Sequence, residues 1–349
     1  MIRVGIVGCN YGRQVLLPAF RLDPRCEVVA LAGSDRARTE ELARQVEVPQ
    51  AYGDWRQMIA RDDIAAIAIA VPPRLQPEIA IAALQRGKAL FLEKPLSGTE
   101  GGGVPIAEQA RRSNRPVAVD FEFTELPAWR RAKALIDGGA LGTLRHVSVT
   151  WNVENYATRM RLKSWKTDGR DGGGVIGNLG VHSLYYLEHF CGRITEMSAT
   201  HYGLPGEDKN NASESTAIMA GRFEPGASYH LAISAACYLG SGHRIEFYGE
   251  EGSLALINGT ADYMRGFNLF HARRPATALE KIDVAEEPDP HPDGRIAPVG
   301  RLARRFFDAI EGGAPMKPGI EEGLRADKLV WSARFSNQIG GEGIMVEQT

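Results

Sequence analysis

The sequence lacks a long apolar run, a paired-cysteine pattern, an excess of charge and any internal repeat. Its longest apolar stretch, IAAIAIAV at Ile64–Val71, falls far short of the roughly 20 residues a membrane-spanning helix requires. The apolar segment of MIRVGIVGCN is broken by glycines, unlike the core of a secretory signal, so no signal peptide is expected. Cys9, Cys26, Cys191 and Cys237 are scattered without CxxC or Cys/His ligand spacing. They read as reduced thiols, and the expectation is a cytoplasmic protein with no metal centre. A net charge of -2 removes the electrostatic reason to expect nucleic acid or an anionic membrane as partner.

What is present is room for two domains in 349 residues. The apolar runs RVGIVG, EVVALAG, IAAIAIAV, ALFLEKP and PVAVDFEF alternate with helical patterns near 13–22, 38–46, 54–61, 77–87 and 104–113. That rhythm predicts a doubly wound parallel sheet with helices on both faces. After it, WRRAKALIDGGALG reads as a helix, and strands follow from LRHVSVTWNV through ITEMSATHYG, STAIMAGRF, ASYHLAISAAC, HRIEFYGEEG and SLALING to YMRGFNLFHA. Such a succession predicts a large, mostly antiparallel open sheet, one face on a core and the other available to a second subunit. A proline-rich loop, 286–294, precedes two closing helices in GRLARRFFDAIEGG and GIEEGLRADKLVWSARFSN. The expected fold class is α/β: a nucleotide-binding domain over 1–122, then an α+β domain over 123–349 whose final helices return toward the first.

The turn after the first strand carries Gly8, Cys9, Asn10, Tyr11 and Gly12. A dinucleotide fingerprint, GxGxxG, uses glycines for a tight turn and for close approach of the pyrophosphate to a helix N-terminus. This turn is one residue short, with Asn10 near the place of the middle glycine. Asn adopts left-handed backbone angles better than most other non-glycine residues, so the shortened loop can still cradle a phosphate. The second strand ends at Ala32 and is followed by Gly33, Ser34, Asp35, Arg36 and Arg38. A small neutral residue backed by arginines favours the 2'-phosphate of NADP; NAD remains open if Asp35 turns inward, as does a solvated charged run for Arg36 and Arg38.

Two further motifs bring a resemblance. VPPRLQPEIAIAALQRGKALFLEKPL, with its EKP tripeptide, and SWKTDGRDGGGVIGNLGVHSLYYLE, a glycine run followed by Asn178 and His182, resemble the Gfo/Idh/MocA family of oxidoreductases. The resemblance implies a Rossmann domain, a second domain with an open sheet, homodimers or homotetramers packed through that sheet, and NAD(P)-dependent chemistry on a sugar, nucleotide sugar, cyclitol or related polyol. It places Glu93, Lys94 and Pro95 at the EKP motif, with Lys94 near the nicotinamide and the reacting hydroxyl. Val71, Pro72 and Pro73 fall on the loop along the cofactor, with Gln76 near a position where many members have His. Asn178 stands where the family has an acid, His182 at the motif His, Trp165 and Lys166 in a segment lining the substrate pocket, and Thr124 where an Arg is frequent.

Alcohol oxidation needs a hydride acceptor and a base. His182 is the first candidate for the base, since His titrates near neutrality, with Lys94 orienting the oxygen and stabilising negative charge; the reverse assignment stays open. Asn178 cannot ionise and offers only a neutral hydrogen bond to the site. The glycines before it are expected to leave room for cofactor and substrate. Trp165 suits a sugar ring and Lys166 a hydroxyl or phosphate, against the alternative of a core Trp and a solvated Lys. Tyr156, Arg159 and Arg161 read as a polar loop that would favour an anionic substrate if it faces the cleft, and Tyr185, Tyr186 and His189 read as helix packing. Two rival readings share these residues: a redox-neutral glycosidase that oxidises and re-reduces its sugar, and a cofactor-binding sensor without turnover.

Overall fold

A computed structural model of the chain describes residues 1–203, 213–285 and 289–346; of the loop expected at 286–294, residues 286–288 lie outside the described residues. Two compact units result. One holds Met1–Glu122 with Asp289–Asp327, the other the described residues of Phe123–Pro288 and Lys328–Thr349.

The first unit is built on β1 (Ile2–Val7), β2 (Cys26–Ala32), β3 (Gln50–Tyr52), β4 (Ala66–Ile69), β5 (Ala89–Leu92) and β6 (Val117–Val119). They pair in the order β3-β2-β1-β4-β5-β6, every pairing parallel. Between them run α1 (Leu17–Phe20), α2 (Arg36–Gln45), α3 (Trp55–Ile59), α4 (Gln76–Gln85) and α5 (Val104–Ser113). Every residue of β4 and β5 is buried, which explains their unbroken apolar sequence. The order reverses between β1 and β4, and in such sheets ligands bind outside the carboxyl ends of the strands at that switch.

The strand expected across Ile64–Val71 pairs only over Ala66–Ile69, and PVAVDFEF contributes only Val117–Val119 before the chain turns into a short helical stretch at Glu122–Glu125. The three-residue β3 has no apolar run to announce it in the sequence. The helix α9 (Ile296–Ile310), counted with the second domain on sequence grounds, packs in the first unit. Its residues Ile296, Val299, Leu302, Ala303 and Phe306 recur at helical spacing and are buried in the same core as Ile6, Phe20 and Phe91. Phe20 meets Phe91 at 5.1 Å and Phe307 at 5.7 Å, and Phe91 meets Phe306 at 5.8 Å, all edge to face.

The second unit opens with α6 (Pro127–Asp137), then β7 (Leu144–Asn152), α7 (Tyr156–Arg159) and α8 (Val181–Cys191). The strands β8 (Ile194–Tyr202), β9 (Thr216–Phe223), β10 (Ser228–Ser234), β11 (Gly242–Gly249), β12 (Gly252–Asn258), β13 (Asn268–Arg273), β14 (Glu280–Ile282) and β15 (Ile344–Met345) complete its sheet. Their order is β14-β13-β12-β11-β7-β10-β9-β8-β15, antiparallel except for β7 against β10. The helix α10 (Ile320–Gln338) begins in the first unit and ends in the second.

Alternation in β7 sends Val147, Val149 and Trp151 to a covered face, where Trp129 of α6 and Phe190 of α8 pack. The opposite face carries His146, Ser148 and Thr150, with His146 stacked on His230 at 5.0 Å. Among the described residues no helix is long and apolar enough to cross a membrane.

Candidate active site

In the first unit, β1 leads into a turn that only glycine can make. Gly8 has φ of 116°, and a Cβ there would lie 2.1 Å from the Ala70 carbonyl oxygen. Asn10 does not take left-handed angles. The left-handed step falls on Gly8 instead, and the Asn10 carbonyl accepts from the Gln14 N–H at 2.9 Å. Gly12–Leu16 then wind as a π-helical turn, closed by the Leu17 N–H on the Gly12 carbonyl. A π turn holds one residue more than an α turn, so the helix is wider where the loop is shorter. Pro18, which lacks an N–H and crowds the preceding carbonyls, favours that widening.

At the tip of β2 the carboxylate of Asp35 does not turn inward. It caps α2, its Oδ1 accepting the Arg38 N–H at 3.0 Å. Arg36 pairs with Glu40 at 2.9 Å across one helical turn, whereas Ser34 and the Arg38 side chain are exposed. Cys9 sits behind this tip, its Sγ 3.8 Å from both Thr39 Oγ1 and the Ala32 carbonyl, and burial raises its thiol above the usual range.

The EKP segment follows β5, and its backbone is held from two sides. The Gln76 amide donates to the carbonyls of Glu93, Pro95 and Leu96 at 2.7, 3.0 and 3.2 Å. Asp327 accepts the N–H groups of Leu96 and Ser97 at 3.1 and 3.2 Å. Gln76 thus braces the loop that carries Lys94. Pro73 is buried in the short turn leading into α4, with Val71 and Pro72 partly exposed before it. Behind Lys94 lie three acids, Glu93, Asp120 and Glu122, and Tyr11 donates its hydroxyl to Asp120 Oδ2 at 3.1 Å. Among the described residues no group of His, Cys, Asp and Glu could hold a metal ion.

In the second unit the glycine run is crowded by the protein itself. A Cβ on Gly173 would lie 1.9 Å from the Trp165 carbonyl oxygen, and one on Gly174 2.4 Å from the Glu214 carboxylate. Arg334, from α10, donates to the carbonyls of Gly172 and Gly173 at 3.2 and 2.6 Å and pairs with Glu214 at 3.2 Å. Glu214 also accepts the Ile176 N–H at 3.1 Å, and the Arg334 guanidinium stacks 4.7 Å from the centre of the Trp331 ring. This clamp sets the start of the next helix.

That helix is not regular where its polar residues lie. Ile176–Gly180 form a second π-helical turn, closed by the Val181 N–H on the Ile176 carbonyl, and α8 continues from it. Asn178 and His182 straddle the junction, and both are buried. Phe123 packs edge to face on the His182 ring at 5.1 Å. Behind it His243 lies flat on Trp151 at 4.2 Å, with Tyr186 Oη 2.9 Å from its Nε2. Burial depresses the His243 imidazole to about 3, so it is a neutral packing group.

Trp165 is partly buried and Lys166 exposed, its ammonium 5.9 Å from the centre of the Trp165 ring, so Trp165 is not a core residue. The Lys166 carbonyl accepts the Gly174 N–H at 3.0 Å, tying this segment to the glycine run. Tyr156 and Arg159, expected in a loop, lie in α7, which Asn155 caps, and both side chains are solvent-facing or nearly so. Arg161 follows it at φ of 49°. Tyr185 packs near His189 at 6.0 Å, and Tyr186 is buried against Trp129.

Sequence reading does not single out Asp120, Glu122, Glu214, His243, Arg295 or Arg334. The one available signal was the pair of acids in VDFEF, which breaks an otherwise apolar run of sequence.

Comparison with known proteins bears on the family and the fold. Residues 2–121 match the oxidoreductase family with an NAD-binding Rossmann fold, and residues 129–255 match the GFO/IDH/MocA C-terminal domain. An uncharacterized oxidoreductase of Synechocystis is 28% identical over 97% of this chain and 94% of its own. The dTDP-3,4-didehydro-2,6-dideoxy-alpha-D-glucose 3-reductase of Saccharopolyspora spinosa is 26% identical over 73% of this chain and 74% of its own. The structure of a levoglucosan dehydrogenase in complex with NADH and levoglucosan superposes with a TM-score of 0.89 at 20% identity, covering 99% of this chain and 100% of the other.

Two predictions test the second unit. Arg334→Met leaves Glu214 buried without its cation and is expected to destabilise by about 3–5 kcal/mol in urea unfolding, with part recovered by adding Glu214→Gln. A loss below about 1 kcal/mol contradicts the clamp. An unfolded His titrates near 6.5 and His243 in the fold only near 3, so the unfolded state binds more protons between these values. Stability therefore falls as pH drops through this window, by up to about 1.4 kcal/mol per unit. His243→Phe is expected to flatten the dependence of unfolding free energy on pH there; an unchanged slope contradicts the neutral imidazole.

Proposed function

The chain belongs to the Gfo/Idh/MocA family of oxidoreductases, with that family's NAD-binding Rossmann domain, and on that premise we propose that it moves a hydride between a nicotinamide cofactor and a CH–OH carbon of a sugar, nucleotide sugar, cyclitol or related polyol. The carbohydrate class is supported by the names of relatives that act on levoglucosan and on a dTDP-sugar. The observation that carries the reading is the presence, in one chain, of a braced EKP segment after β5 and a braced glycine run leading to His182.

The residues present fit a dinucleotide. The turn at Gly8 has no room for a side chain, and it opens a helix at the carboxyl end of β1, where a pyrophosphate meets backbone N–H groups. With Asp35 engaged as a cap, the exposed Ser34 and Arg38 favour a 2'-phosphate, so NADP is the preferred cofactor. When bound, the nicotinamide supplies the hydride acceptor or donor.

The chain's own residues do the rest. His182 takes the hydroxyl proton, while Lys94 orients the oxygen and stabilises the negative charge that develops on it. Asn178 offers a neutral hydrogen bond, so the His182 cation is less stabilised than beside an Asp. Trp165 presents a face to the sugar ring, and Lys166 a cation to a hydroxyl or phosphate. The exposed face of the large sheet, around His146, His230 and Tyr248, is the surface assigned to a second copy in a cytoplasmic homodimer or homotetramer.

The test is reduction of NADP and NAD with a panel of sugars and polyols. Turnover with NADP favoured is expected, with Arg38→Ala weakening NADP more than NAD. Lys94→Ala and His182→Ala are each expected to lower kcat by about 100 to 10,000-fold while cofactor still binds. Turnover unaffected by either substitution would contradict the assignment.

A further inference from the structure

The carboxyl ends of β5 and β6 hold more acid than a dinucleotide cradle needs. Asp120 is completely buried and Glu122 is 4% exposed, and with Glu93 they share one part of the first unit. Leu92 and Val119 are register partners on β5 and β6 and the Asp120 N–H donates to the Leu92 carbonyl at 2.9 Å, which sets Glu93 and Asp120 side by side at the strand ends; Asp120 Oδ2 accepts the Tyr11 hydroxyl at 3.1 Å. Ionised carboxylates only accept, so a bond between two of them needs a proton on one. The acceptor count agrees: Glu93 Oε1 and Asp120 Oδ1 are both buried without a donor, and a single shared proton satisfies both.

The other groups facing this pair are few. Tyr11 is partly buried beside it, and Glu122 adds a third acid. Lys94 and Arg295 supply positive charge, but Arg295, 5.1 Å from the centre of the Tyr11 ring, is already paired with Asp293 at 2.6 Å. Burial, then the neighbouring charges of Glu93 and Glu122, raises Asp120 well above the carboxylate range. Burial and the charge of Glu93 push Glu122 to about 7, with Lys94 acting against them. Such a cluster changes its proton content readily when a nearby charge changes.

We propose that Glu93 and Asp120 form an acid–carboxylate pair, with Glu122 and Tyr11, whose proton count is linked to the redox state of the bound cofactor. The inference rests on the oxidoreductase reading above. In alcohol oxidation the carbon loses a hydride to the nicotinamide, which loses its positive charge, and the hydroxyl proton is released. Uptake of a proton by the cluster restores the positive charge that the ring has given up, so electrons and charge balance without another reactant. The cluster lies directly behind the segment that delivers Lys94, at the strand ends where ligands of such sheets bind. It is a positioning set, acting through the electrostatics of the cofactor site and not on the substrate.

The test uses binding alone. Dissociation constants of the full chain for NADP and NADPH, and for NAD and NADH, are measured between about pH 6 and about pH 8; a linked proton makes the reduced form gain on the oxidised form by up to about tenfold per unit of falling pH. Asp120→Asn and Glu93→Gln are each expected to reduce that slope, and His182→Ala to keep it. A flat ratio in the unaltered protein overturns the proposal, as does an unchanged slope in both carboxyl variants. Failure of every cofactor form to bind overturns the oxidoreductase reading itself and the proposal with it.

Discussion

Two places where backbone meets backbone with no space for a Cβ govern both halves of this protein. At Gly8 the turn after β1 runs against the Ala70 carbonyl, and at Gly173 the chain runs against the Trp165 carbonyl. Each close approach is followed by a π-helical turn, Gly12–Leu16 in one unit and Ile176–Gly180 in the other. Tight turn and wide helix together set where the helix begins, and therefore where its first polar groups stand. A side chain at either glycine would displace the element that the proposed chemistry needs.

Buried charge completes the positioning. Arg334 and Glu214 bind the glycine run to α10, the Arg334 Nη2 holding the Gly172 and Gly173 carbonyls and the Glu214 Oε1 the Ile176 N–H. Gln76 and Asp327 do the same for the EKP segment with neutral and anionic groups. The acids behind Lys94 differ, because Glu93 and Asp120 end adjacent parallel strands, and the proton proposed for them is shared between like groups. Rigid bracing and a labile proton thus occur within the same strand ends.

Much of this was legible in the sequence wherever a local pattern carries the physics. Unbroken apolar runs identified most of the parallel strands, the succession of strands after α6 identified the large, mostly antiparallel sheet, and EKP and GGG marked segments that distant side chains brace. What local pattern cannot show is pairing across long separations. Glu214 and Arg334 lie 120 residues apart, and neither stands in a motif. The membership of α9 in the first unit depends on Phe306 and Phe307 meeting Phe91 and Phe20, which the helix's own periodicity does not reveal. Asp35 looked free to reach a ribose because its capping bond to Arg38 forms only once α2 exists. The glycine run announces a close approach, but that Trp165 and Glu214 crowd it is not visible in the run itself.

The central claim is direct hydride transfer between substrate carbon and nicotinamide. The most direct measurement follows deuterium from the carbinol carbon of a labelled sugar or polyol substrate into NADP, read by mass spectrometry of the recovered cofactor. The account predicts one deuterium in each reduced nicotinamide and none washed into solvent. Product formation with no deuterium in the cofactor pool would contradict it.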